Sequence, residues 1–271
     1  MKILFTGGGT GGHVLPLVAL SREIRRIRPE KNLGIFYMGP KDDFGAILLS
    51  QEGIKIKTIL AGKIRRYLNF KSFMENLLDL FVKVPAGIFM AFWKVLFLGP
   101  DLILSKGGYG SLPVVLAGWF LWVPIFLHEG DVKPGLANKF LSIFAKKVFV
   151  SFPRTQFFSP KKMILTGNPV RRELLEGTKE EARQLFGIGT QKPIIFVLGG
   201  SQGAQRINDK ILEILPQLLE KFEIIHPYGK RHRRTARLAA GKDRRADCRC
   251  RIARTLGHRL HAQPRAHDRR Q

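Results

Sequence analysis

The chain has 271 residues, is 45% hydrophobic and carries a formal net charge of +25. That length and apolar content suit one large or two ordinary packed domains. Its two cysteines, Cys248 and Cys250, are too close together to staple a fold and form no metal quartet; this excludes a disulfide scaffold and points to a reducing, cytoplasmic setting.

Met1-Lys2 leads straight into a first apolar run at residues 3–5, so no cleavable signal is expected. A glycine-rich turn follows, Gly7-Gly8-Gly9-Thr10-Gly11-Gly12-His13, and then a helix with Leu17, Leu20 and Ile24 on one face. Strand, glycine turn and helix in that order build an anion site, because free N–H groups and the positive helix end point into the turn. His13 adds a side chain able to exchange a proton near neutral pH. The turn also fits Gly-x-Gly-x-x-Gly, but no acidic residue closes the second strand (34–38). Asp42 and Asp43 lie beyond Pro40, which counts against a nicotinamide dehydrogenase.

A third strand is predicted at 56–60. Lys63-Ile64-Arg65-Arg66 then opens a basic segment, and residues 77–98 are almost wholly apolar. Asp79, Lys83, Pro85 and Lys94 interrupt that stretch, so it reads as a surface lying on an anionic bilayer rather than as a span. Further strands are predicted at 102–104, 125–127, 147–150 and 163–165. The first leads into a second glycine turn, Lys106-Gly107-Gly108-Tyr109-Gly110-Ser111, and the next ends in His128-Glu129. Gly167-Asn168-Pro169-Val170-Arg171 places a cation whose planar fork suits a diphosphate.

The strand–turn–helix pattern restarts at 194–198 with Gly199-Gly200-Ser201-Gln202-Gly203, a helix over 208–222 and a run at 223–226. Alternating strands and helices predict α/β architecture with parallel sheets. The division expected is a Rossmann-like domain at 1–166, the start of a second at 167–230, and a tail at 231–271. That tail holds 13 Arg and one Lys against three Asp, with no Phe, Trp, Tyr or Glu. It is expected to be disordered. The shift to Arg, Ala and His matches a reading-frame change in a GC-rich coding sequence; a basic nucleic-acid arm is the competing reading.

Five blocks, GGGTGGHVLP, KGGYGSLPVVLA, LHEGDVKPGLANK, TGNPVR and LGGSQGAQRIN, resemble in order the MurG family of peptidoglycan glycosyltransferases over about residues 1–229. The resemblance implies the two-domain GT-B fold, with the second domain incomplete in this chain. It implies transfer of N-acetylglucosamine from UDP-N-acetylglucosamine to the C4 hydroxyl of lipid I, giving lipid II with inversion. The acceptor is an undecaprenyl-diphosphate lipid, so the family works at the cytoplasmic face of the membrane, and residues 63–98 become its contact with the anionic surface. No cofactor, metal or nucleic acid is expected.

By the same resemblance His13 is the catalytic residue. Thr10, Gly11, Gly12, Asp131, Arg171 and Ser201 fall at donor positions. Gly8, Gly9, Gly107, Gly108, Tyr109, Gly110, His128 and Glu129 fall at acceptor and diphosphate positions. The family usually reads His-Glu-Gln-Asn where this chain has His128-Glu129-Gly130-Asp131; Asp131 keeps the acceptor oxygen of asparagine, loses the amide donor and adds a charge. Most family contacts to uracil, ribose and sugar fall past residue 230. The expectation is therefore impaired transfer, with a non-catalytic fragment that binds the lipid-linked acceptor as the alternative.

Overall fold

The computed structural model describes residues 1–8, 11–30, 32–63, 70–155, 157–189, 191–199 and 204–226. The chain divides into one compact unit, Met1–Leu175, and a second beginning at Glu176.

The first unit runs β1 (Lys2–Thr6), α1 (Gly11–Ile27), β2 (Gly34–Gly39), α2 (Asp43–Gln51), β3 (Lys55–Thr58), α3 (Phe70–Leu78), α4 (Val84–Leu98), β4 (Leu102–Ser105), α5 (Leu112–Phe120), β5 (Ile125–Glu129), α6 (Leu136–Leu141), β6 (Lys147–Val150) and β7 (Met163–Leu165). All seven strands are parallel, in the order β3-β2-β1-β4-β5-β6-β7. Period-two alternation divides the buried side chains between two faces. Ile3, Phe5, Ile35 and Leu104 meet Val14, Leu17 and Val18 of α1 and Leu49 of α2. Leu4, Ile103, Leu127 and Val148 meet Ala91 and Val95 of α4, Val114 and Val115 of α5 and Leu141 of α6.

The chain first winds outward from β1 to β3, then returns to β4 on the other side of β1. In such sheets the crevice opens where the winding reverses, at the carboxyl ends of the two central strands. Here those strands are β1 and β4, and Thr6 pairs in register with Ser105. Both glycine turns of this unit start there.

The stretch at 77–98 is helical throughout. Asp79–Lys83 forms a single π-helical turn between α3 and α4, in which the Val84 N–H donates to the Asp79 carbonyl. The charges expected to interrupt the segment have local partners. Asp79 is 3% exposed; its Oδ2 accepts from the Lys63 N–H at 3.1 Å, and Lys83 Nζ lies 2.5 Å from its Oδ1. Lys94 donates to the Thr58 carbonyl. Pro85 follows directly on the π-turn, inside the continuous helix, and donates no backbone hydrogen bond there. Phe73–Leu98 is long and apolar enough to cross a membrane by length and composition alone. Yet Gly87, Ala91, Val95 and Leu98 are buried on the unit, and α4 packs along α5. The opposite face leaves Phe89, Trp93 and Phe97 exposed.

The second unit contains α7 (Lys179–Leu185), β8 (Ile194–Phe196), α8 (Gln205–Lys221) and β9 (Glu223–Ile225). A capping box starts α7: Thr178 accepts from the Glu181 N–H, and Glu181 accepts from the Thr178 N–H. Strands β8 and β9 are parallel, with Ile194 opposite Glu223, and Leu212 and Leu215 of α8 pack on Ile224. The predicted tail, 231–271, lies outside the described residues.

Candidate active site at the carboxyl ends of β1, β4 and β5

Gly7 and Gly8 leave β1, and Gly107 to Gly110 leave β4. The two turns touch: a Cβ on Gly8 would sit 2.8 Å from the Gly110 nitrogen, so only backbone fits between them. Gly107 and Gly108 adopt φ of +88° and +84°, a region L side chains rarely occupy. The Ser105 hydroxyl accepts from the Gly107 N–H at 3.1 Å, and the Ser111 hydroxyl donates to the Gly107 carbonyl at 2.8 Å. The Tyr37 hydroxyl donates to the Gly7 carbonyl at 2.9 Å; burial raises its pKa, so it remains a donor.

His13 stands in the first turn of α1, and its Nε2 is 3.2 Å from where a Cβ of Gly108 would lie. The imidazole thus spans the two turns. Burial, then the Lys106 ammonium, lower its pKa below the usual 6.5, against an upward pull from Glu129 and Asp131. An imidazole neutral at pH 7 can accept a proton, which base catalysis requires.

His128 and Glu129 end β5 and are 3% and 5% exposed. Lys106 Nζ lies 2.9 Å from His128 Nδ1, and His128 Nε2 lies 3.1 Å from the Gly167 carbonyl. A carbonyl only accepts, so Nε2 carries the proton and Nδ1 receives from Lys106. Glu129 accepts from the Asp131 N–H at 3.0 Å, the Gly135 N–H at 3.2 Å and Asn138 Nδ2 at 2.9 Å. Sequence reasoning placed both residues against a ligand. In the structure their polar atoms hold the loop at 130–135 and the Gly167 turn, and His128 also lines a cavity beside Gly167.

Of the other expected residues, Gly11 is buried, Gly12 exposed, and Tyr109 half-buried beside Gly110; Asp131 is exposed. Arg171 lines a cavity of about 540 Å³ with His128, Gly167 and Arg22 of α1, on the α1 side of the sheet. Gly9, Thr10 and Ser201 lie outside the described residues. Two residues were missed, Lys106 and Asn138. The signal for Lys106 was its position directly after the buried run Ile103-Leu104-Ser105. Asn138 lies in the LANK stretch and reads as surface until its amide is seen packed against Gly107.

The His128 pKa is also lowered, by burial first and then by Lys106. The sign follows for stability. Below about 6.5 the unfolded chain binds protons that the folded imidazoles refuse, so this contribution is full above 6.5 and is lost as the pH falls through the folded values. NMR titration of the two imidazoles is expected to give midpoints below 6.5 for both; a midpoint at or above 6.5 for either contradicts the burial argument.

Residues 3–150 match the glycosyltransferase family 28 N-terminal domain, and residues 194–246 match the family 28 C-terminal domain. The second match extends past residue 229, where the blocks read from sequence end. The chain is 43% identical over 230 residues to UDP-N-acetylglucosamine–N-acetylmuramyl-(pentapeptide) pyrophosphoryl-undecaprenol N-acetylglucosamine transferase 2 of Bacillus cereus, covering 84% of this chain and 63% of that protein. It is 42% identical over 230 residues to the corresponding transferase of Lachnospira eligens, covering 84% and 62%. The chain therefore spans somewhat under two thirds of the length of these relatives. The crystal structure of Acinetobacter baumannii MurG superposes with a TM-score of 0.61 at 25% identity, over 88% of this chain and 62% of that one. The S. aureus MnaA–UDP structure, at 16% identity and a TM-score of 0.60, shares the fold. With its glycine turns, parallel sheet and matches in both halves, the chain belongs to glycosyltransferase family 28.

Proposed function

We propose that the chain serves an inverting hexosyltransferase of peptidoglycan synthesis, moving N-acetylglucosamine from UDP-N-acetylglucosamine to lipid I to give lipid II. The observation that carries this reading is the contact of the two glycine turns, with His13 bridging them at the winding reversal. The turns at Gly8-Gly9 and Gly107 to Gly110, with Tyr109, cradle the acceptor diphosphate on backbone N–H groups and the positive end of α1. His128 and Glu129 act by holding the surrounding loops.

His13 takes the proton of the acceptor C4 hydroxyl. That oxygen forms the new bond to the anomeric carbon from the face opposite the nucleotide, the bond to the UDP oxygen breaks, and UDP departs with the electron pair. Inversion follows from single displacement. Thr10, Gly11, Gly12, Asp131, Arg171 and Ser201 are the proposed donor contacts, with Arg171 and the helix end stabilising the leaving diphosphate. The exposed apolar face of α3 and α4, beside Lys63 and Lys83, rests on the anionic cytoplasmic leaflet and brings the site to its lipid-linked acceptor.

Turnover of UDP-N-acetylglucosamine with a soluble lipid I analogue tests the reading, with His13→Ala as the comparison. Loss of a general base lowers kcat by roughly 10²–10⁴. A parent chain that neither binds the analogue nor turns it over would overturn the reading.

A further inference from the structure

Lys106 closes β4 on the side of the sheet that faces α1, and it is 7% exposed. One N–H of its ammonium donates to His128 Nδ1 at 2.9 Å. That partner is a neutral imidazole, because its other nitrogen donates to the Gly167 carbonyl. The acidic neighbours do not neutralise Lys106 by contact. Glu129 and Asp131 act on it through space, but among the described residues neither forms an ion pair with it inside 4.0 Å. Both Glu129 oxygens are committed to Asp131, Gly135 and Asn138. A buried ammonium with one neutral partner is an expensive arrangement in the free protein, and burial depresses its pKa.

Beside His128, the amine meets the backbone of Gly130. A Cβ on Gly130 would lie 2.7 Å from Lys106 Nζ, and one on Gly7 would lie 3.7 Å from Lys106 Cβ. Gly130 at the β5 end thus leaves the ammonium room where a side chain would crowd it, while Gly7 packs on the stem of the lysine at ordinary contact distance. Its charge reaches His13 in the first turn of the 17-residue helix α1, and the positive-φ turn at Gly107 and Gly108 follows it in sequence. These features share one preference, for an anion.

We propose that Lys106 is an anion-binding residue whose ammonium takes a phosphate oxygen of a diphosphate-bearing ligand through the N–H groups His128 leaves free. The inference rests on the reading above that a diphosphate occupies the glycine cradle. It adds a specific cation to a site otherwise made of backbone. A diphosphate oxygen supplies the missing countercharge in a poorly solvated place, where charge-assisted hydrogen bonds are strong. His128 then acts as a positioning residue, aiming the amine and leaving two donors for the ligand.

The test is calorimetric binding of inorganic pyrophosphate to the full chain at low salt, comparing the parent with Lys106→Gln and Gly130→Ala. Lys106→Gln is expected to weaken binding by about tenfold or more. Gly130→Ala, which leaves the lysine in place but crowds its amine, is expected to weaken it by a smaller factor. Tryptophan fluorescence confirms that each variant is folded. Binding by Lys106→Gln within about twofold of the parent overturns the proposal, as does a parent that does not bind pyrophosphate. UDP-N-acetylglucosamine and the soluble lipid I analogue form separate arms. Lys106-dependent pyrophosphate binding with neither larger ligand bound supports the cation and overturns the transferase reading. Both ligands binding regardless of Lys106 overturns the cation and leaves the transferase reading standing. Dependence in one arm supports the cation and identifies which diphosphate it holds.

Discussion

Replacing Glu129 with alanine is expected to destabilise the first unit by roughly 3–5 kcal/mol. The carboxylate is 5% exposed and accepts three hydrogen bonds, two from backbone N–H groups and one from a buried amide. Hydrogen bonds to a charged acceptor contribute more than neutral ones, and their removal leaves Asn138 Nδ2 buried with only a 3.4 Å contact to the His128 carbonyl. Glu129→Gln should cost less, roughly 1–2 kcal/mol, because its amide keeps one acceptor oxygen and turns a donor toward another donor. The three tryptophans, Trp93, Trp119 and Trp122, all lie in the first unit, so urea denaturation followed by fluorescence reports on that unit. A Glu129→Ala midpoint equal to that of the parent would remove the loop-holding role assigned to Glu129.

The second large effect concerns the membrane. Phe89, Trp93 and Phe97 are 67%, 43% and 81% exposed on one side of α4, and Trp93 meets both phenylalanines ring to ring. On the proposed membrane contact these three side chains enter the lipid interface together. Each is worth roughly 1.5–3 kcal/mol when buried, so changing all three to serine should weaken vesicle binding by about 10³-fold or more. Ala91 and Val95 on the packed side are untouched, and the fold should survive. Co-sedimentation with anionic vesicles measures the change, and circular dichroism checks the helix. A triple variant that sediments like the parent places the contact elsewhere.

Much of the first unit was legible because buried parallel strands leave apolar runs with glycine turns after them. Predicted runs at 147–150 and 163–165 coincide with β6 and β7, and the others differ by a residue or two at their ends. Less legible was anything that depends on strand order. The two glycine turns lie about a hundred residues apart, and only the reversal between β3 and β4 brings Gly8 against Gly110. Lys106 was passed over because a lysine beside a glycine turn ordinarily reads as a solvated charge; its burial follows from β5 lying alongside β4. The charges of the apolar stretch were legible, but their partners were not. Asp79 and Lys94 read as interruptions, whereas the structure gives each a nearby partner.

The π-turn in that stretch acts as a phase corrector. An α-helix advances about 100° per residue, so one additional residue in a turn rotates everything before it relative to everything after it. The five-residue step from Asp79 to Val84 brings the Asp79 carboxylate onto the same strip as Gly87, Ala91, Val95 and Leu98. Leu80, Phe81 and Val82 are left pointing outward. Deleting a single residue here would restore regular winding without shortening the helix appreciably. It would also keep Asp79 on its strip, because Asp79 would then lie seven residues from Gly87, about 20° short of two full turns. The π-turn therefore absorbs one residue of chain without changing the face that Asp79 presents, and a one-residue deletion between Asp79 and Val84 should spare the contact with the Lys63 amide.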